Sequence, residues 1–135
     1  MNDDEIFDYV QQLTTDSAED AYFALLTHST EVNIPAFIRA YHEQNNPHVR
    51  ASLLEIVWRQ HPSSTPLEFL AQALRDSSAE VWKSALDGLV SIARPECVVI
   101  LECERQHLLE ADPENASTRP DWIAEAIQQL SNQNT

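Results

Sequence analysis

Few residues in this chain have types and spacings that could do chemistry. His42 and Glu43 are neighbours, and an imidazole beside a carboxylate is a unit from which metal centres are assembled. A two-metal centre needs several such pairs, and the sequence supplies one. His28, His48, His61 and His107 fall near expected helix ends, where an imidazole complements the C-terminal dipole or faces water. Cys97 and Cys103 are separated on one expected helix by a turn of about 240°. They cannot join each other in a disulfide, and they read as reduced, mostly buried thiols. With a single glycine, no Gly-rich phosphate loop can be built. These residues give no catalytic set, and no metal or other cofactor is expected.

Carboxylate is what the chain has in abundance. Its 135 residues include 22 Asp and Glu against 8 Lys and Arg, a net charge of −14. Such a balance opposes direct binding to nucleic acid or to an anionic membrane and favours a cationic partner, although acidity also keeps an ordinary protein in solution. No stretch approaches about 18 consecutive apolar residues, the length that marks a spanning helix. The N-terminal MNDDEIFDYV lacks the basic and then apolar pattern of a secretory signal. A cytoplasmic location is the default expectation.

The elements that must position these charges read as helices throughout, because Ala, Leu, Glu and Gln are plentiful and β-branched residues are not clustered. Residues 76–94 are the clearest. Val81, Ala85, Leu89 and Ile92 form one apolar stripe, with Leu86, Val90 and Ala93 beside it. Ser77 and Glu80 have the spacing of a capping box, and Pro95 ends the helix or opens the next. Gly88 costs about 1 kcal/mol against Ala in a helix, which predicts a close neighbour at that point.

Further helices are predicted over residues 2–13, capped by Asn2 and Glu5; from Asp16 or Ser17 to 28; from Pro35 to 43; and from Asn46-Pro47 to 60. A fifth starts at a capping box formed by Thr65 and Glu68 with Pro66 between them and runs through Leu74. The seventh covers 95–109, followed by a polar loop over 110–117. The eighth, opened by Thr118, Pro120 and Asp121, runs through Leu130 before 131–135 fray. Eight helices on short turns predict one all-α domain of four antiparallel pairs, roughly 2–29, 34–61, 65–94 and 95–131.

An internal period decides how the pairs stack. Val49, Leu53, Leu54, Glu55 and Val57 return 32 residues later as Val81, Ala85, Leu86, Asp87 and Leu89, and Phe37 and Ile38 return as Phe69 and Leu70. Ala21, Tyr22 and Leu25 precede Leu53, Leu54 and Val57 by the same interval. A two-helix period of this length is the signature of an α-solenoid. Asn46-Pro47-His48-Val49-Arg50 with Leu53, Leu54 and Val57, and residues 76–81 with Ala85, Leu86 and Leu89, resemble the HEAT-repeat family in its short-repeat form. Two units match well, one weakly, and the last only with an insertion around 110–117. Trp82 departs from the family, standing where it usually has Arg. The resemblance implies an α-α superhelix whose second helices line a concave surface. That architecture serves scaffolds, inhibitors and immunity proteins, and a few enzymes such as metal hydroxylases and bilin lyases.

On the polar strip of those second helices, the interval brings together Asp16, Asp20 and Phe23; His48, Ser52, Glu55 and Arg59; and Glu80, Ser84 and Asp87 with nearby Lys83. Placing Trp122 with Val81 adds Asp121, Glu125 and Gln128. A solvated helix face would look the same residue by residue. Among the tryptophans, Trp82 is read as the one at an interface, and Trp58 and Trp122 as core. The expected function is non-catalytic protein binding. The leading form is a bacterial-type immunity or inhibitor protein that covers the cationic cleft of a basic toxin, such as a nuclease, with its acidic strip. The alternative is a scaffold or adaptor with an apolar interface centred on Trp82.

Overall fold

The structure, a computed structural model, describes residues 1–114 and 118–133, and these form eight α-helices with no strand. In order they are α1 (Asp3–Gln12), α2 (Ala18–His28), α3 (Ile34–Glu43), α4 (Pro47–Gln60), α5 (Leu67–Ala73), α6 (Ala79–Ile92), α7 (Pro95–Ala111) and α8 (Arg119–Gln133). A 3-10 turn over Glu31–Asn33 leads into α3. No helix among the described residues is long and apolar enough to cross a membrane.

Two helix starts follow the sequence signals. Asn2 and Glu5 form a reciprocal capping box on α1, and the Asn46 side chain accepts from the His48 and Val49 amides, with Pro47 as the first helical residue of α4. Three other starts are corrected. Ser77 does not cap α6; Ser78 precedes its first residue without a side-chain cap, and Glu80 turns instead to His48. Thr65 does not cap α5, which is preceded by Pro66. The Thr65 hydroxyl is buried and directed back to the Val57 and His61 carbonyls, where it satisfies the end of α4. Ser17 stands before α2 without a capping bond of its own, and neither does Asp16 supply one. Each competing bond is to a group distant in sequence or in the preceding turn, which local spacing does not reveal.

The core is continuous from Ile6 and Val10 in α1 to Ile123 and Leu130 in α8. Its centre is α4 against α6, where Leu53, Leu54, Ile56, Val57, Val81, Ala85 and Leu89 are fully buried. Each odd-numbered helix packs on the even-numbered helix that follows it. The even-numbered helices also touch in succession, α2 on α4, α4 on α6 and α6 on α8. Side chains join positions one period apart: Ser29 Oγ meets His61 Nε2 at 3.1 Å, His48 Nδ1 meets Glu80 Oε1 at 2.7 Å, and Arg94 donates to the Pro62 carbonyl at 3.2 Å. Residues 32 apart are therefore neighbours in space at three separate places. Gly88 has the close neighbour its position predicts, since a Cβ there would lie 2.7 Å from Cδ1 of Trp58.

Several boundaries differ from those read in the sequence. Helix α7 continues through Glu110 and Ala111, and α8 continues past Leu130 to Gln133. The rest of the expected 110–117 loop and of the frayed tail lies partly outside the described residues, at 115–117 and 134–135. Cys97 is buried but Cys103 is exposed, because the turn that separates them sends Cys103 to the wet side of α7.

One ion pair ties the middle of the fold together. The Asp76 carboxylate, just before α6, accepts from the Tyr41 hydroxyl at 3.0 Å, from Arg50 Nε at 3.1 Å and Nη2 at 3.0 Å, and from the Ser78 amide at 2.9 Å. Arg50 Nη1 also donates to the Gln44 carbonyl at 3.1 Å. The ends of α3, α4 and α6 thereby meet at one carboxylate. Burial alone would raise the Asp76 pKa, but the bonds from Arg50, Ser78 and Tyr41 outweigh it and hold the carboxyl below its ordinary value. A depressed folded-state pKa means that this stabilisation is present above the unfolded carboxylate range and is lost as pH falls through it. Asp76→Asn is expected to cost about 3 kcal/mol at neutral pH, as for removal of one partner from a buried pair. Urea denaturation should show that deficit at pH 7 and a smaller one at pH 3.

Candidate functional site

The polar faces of α4 and α6 enclose a groove of about 430 Å³ lined by His48, Ser52, Glu55, Trp58, Glu80, Lys83, Ser84 and Asp87. It exists because the apolar stripes of the two helices face the core side by side, which leaves the residues opposite in parallel rows. Trp58 forms one wall. It is half-buried, seated over Gly88, with its indole N–H 3.4 Å from Ser84 Oγ. A second cleft, of about 120 Å³, continues between α6 and α8, lined by Leu86, Asp87, Val90, Trp122, Glu125 and Ala126 among others. Asp87 borders both.

The carboxylates on this face are in different states. Glu55 accepts from the Tyr22 hydroxyl at 2.7 Å and stands 3.5 Å from Arg59 Nη1, which also reaches the Tyr22 oxygen at 3.3 Å. Glu80 is paired with His48 across the groove. Asp87 and Glu125 have no hydrogen-bond or ion-pair partner among the described residues. The Asp87 carboxyl is pushed above its ordinary pKa, first by partial burial and then by the negative charge of Glu55. For an acid this shift has the opposite sign to that of Asp76. The folded state disfavours the Asp87 charge, and the penalty is present once pH has risen above the carboxylate range.

Of the residues singled out in the sequence, Glu55, Glu80, Lys83 and Asp87 line the first groove, Asp87 and Glu125 line the second, and Arg59 joins through Glu55. Asp16, Asp20 and Asp121 are exposed but line neither groove. Trp82 requires correction. It is 5% exposed, in edge contact with Trp122 at 6.0 Å between ring centroids, and its ring lies 5.0 Å from the Arg119 guanidinium carbon. The start of α8 covers it, so Trp82 is core and cannot centre an interface. Trp122, read as core, is 45% exposed. The buried stripe of α8 is Pro120, Ile123, Ala126 and Leu130, one residue off the register that pairs Trp122 with Val81. The spacing of Ile123, Ile127 and Leu130 carries that information, and Trp122 falls just outside it.

Other candidate chemistry is not gathered into a site. His42 and Glu43 are exposed, with the His42 ring edge-on to Tyr41. No group of three or more His, Cys, Asp or Glu among the described residues is arranged to hold a metal ion. A cleft of about 280 Å³ between α1 and α3 is bordered by Asp3 and Arg39, which pair with each other at 2.8 Å. Comparison of the chain with family models, curated proteins and solved structures returned no match.

The two tryptophans should separate cleanly by mutation. Trp82→Ala is expected to lose about 3 kcal/mol of stability, as a large buried ring. Trp122→Ala should lose less than about 1 kcal/mol, as a half-exposed one. Thermal denaturation of both variants checks this order.

Proposed function

We propose that the chain is a HEAT-like α-solenoid of four antiparallel helix pairs, and a non-catalytic module that binds a basic protein through the concave face of its even-numbered helices. The succession of contacts from α2 to α8 and the bonds between residues 32 apart support the solenoid. The single observation that carries the binding reading is the distribution of charge. Glu55, Glu80, Asp87 and Glu125 open onto one face. Five of the chain's eight cations are held away from it, Arg39, Arg50 and Arg75 in ion pairs and Arg94 and Arg119 on backbone carbonyls; on the face itself Arg59 is paired with Glu55 and Lys83 lies over the Trp122 ring. An acidic groove on a rigid frame steers and selects a partner with a cationic cleft. An immunity or inhibitor protein that neutralises a basic toxin in the cytoplasm is the function this supports best.

The exposed Trp122 favours a second reading, an adaptor with an aromatic anchor, now centred on Trp122 in place of Trp82. Salt separates the two. The protein, immobilised at low salt, is expected to retain a basic protein from its source cells. That protein should elute in a salt gradient and should not be retained by an Asp87→Lys, Glu125→Lys variant. A partner that is neutral, resists salt and is lost only with Trp122→Ala would establish the adaptor and refute the electrostatic account.

A further inference from the structure

The cleft between α6 and α8 has the anatomy of a receptor for one amphipathic cation. Its floor is Leu86, Val90 and Ala126, of which Leu86 is 4% and Ala126 5% exposed. Its wall is the exposed part of Trp122, backed by the buried Trp82 ring and thus fixed before any ligand arrives. Its rim carries Asp87 and Glu125, on different helices and without partners among the described residues. A volume of about 120 Å³ corresponds to about four waters at roughly 30 Å³ each, and a guanidinium group has as many heavy atoms. We infer that this cleft receives an arginine of the protein partner, with the methylene stem on the apolar floor, the guanidinium between Asp87 and Glu125, and its plane against Trp122.

The inference rests on the basic-partner reading above and deepens it to one side chain. Charge complementarity selects a cation. The apolar floor selects one with a long stem, and the paired carboxylates beside an indole favour the planar, forked guanidinium over a point charge. Lys83 Nζ lies 4.3 Å from the Trp122 centroid but is not among the residues lining this cleft, so the arginine would use the part of the ring that Lys83 leaves open. Lys83 makes no ion pair with Asp87 or Glu125 among the described residues, so the rim remains available.

The test is a two-dimensional NMR titration of the full chain with a blocked peptide containing one arginine among glycines, beside the same peptide with citrulline, its uncharged isostere. Saturable shifts are expected at the amides of Leu86, Asp87 and Val90 and at the Trp122 indole N–H. Affinity should fall about fivefold or more with citrulline, and about threefold with either Asp87→Asn or Trp122→Ala. If Trp122→Ala disturbs the rest of the spectrum, Asp87→Asn, at an exposed position, decides. Equal binding of the citrulline peptide would overturn the inference, as would shifts confined to His48 and Glu80, or no saturable shift at all. None of these touches the parent reading, which falls only if no basic protein is captured through the acidic face.

Discussion

The Asp76 carboxylate accepts four hydrogen bonds from three elements, and the geometry of the groove depends on it. Tyr41 reaches it from the end of α3, Arg50 from the first turn of α4, and Ser78 from the approach to α6. With side-chain exposures of 16% for Arg50 and 11% for Asp76, the pair is dry enough that its value lies in full satisfaction of both charges. It sets the starts of α4 and α6 side by side, so the two polar rows open onto a common groove. At the far end of the same helices Trp58 rests on Gly88, and a Cβ on that glycine would separate them. Between these two points the pure hydrocarbon of α4 and α6 needs only to fill space.

Charge is distributed with the opposite logic on the two sides of these helices. Where the fold buries a carboxylate it supplies donors, four bonds to Asp76 and the Arg75 Nε–H to Glu104. Asp87 instead lies near Glu55 with no ion pair of its own among the described residues, and the folded state disfavours its ionised form. A cation from outside would remove this penalty, which accords with the proposed binding role of the face. Glu125 across the second cleft extends the same field, and Trp122 supplies a rigid aromatic surface next to it.

The helices, their order and the 32-residue interval were legible in the sequence because apolar spacing and Pro or Asn breaks are local signals. Gly88 announced its close neighbour for the same reason: a glycine in the middle of an otherwise strong helix needs one. What stayed hidden were bonds between units. Ser77-Glu80 and Thr65-Glu68 have capping spacing, yet Glu80 goes to His48 and Thr65 to the end of α4, because partners one turn or one repeat away offer better geometry. The sequence places Trp122 in the core through a one-residue error in the register of α8, and Trp82 at an interface because it stands where the resembled family usually has Arg, whereas the start of α8 covers it. That helix follows residues 110–117, across which the 32-residue interval is not kept and so does not fix the phase. Of the acidic strip read in the sequence, Glu55, Glu80 and Asp87 from the interval and Glu125 from the placement of the last helix border a cleft; Asp16, Asp20 and Asp121 share their chemistry but border neither.

In the proposed complex the partner covers the face built by α4, α6 and α8. Carbodiimide labelling of carboxylates, read by mass spectrometry on the free chain and on the complex, tests it directly. The account requires Glu80, Asp87 and Glu125 to lose labelling in the complex while Asp3, Asp4, Glu43 and Glu102, on α1, α3 and α7, label as before. Protection of that second set with Asp87 and Glu125 still labelled would place the interface on the odd-numbered helices and contradict it.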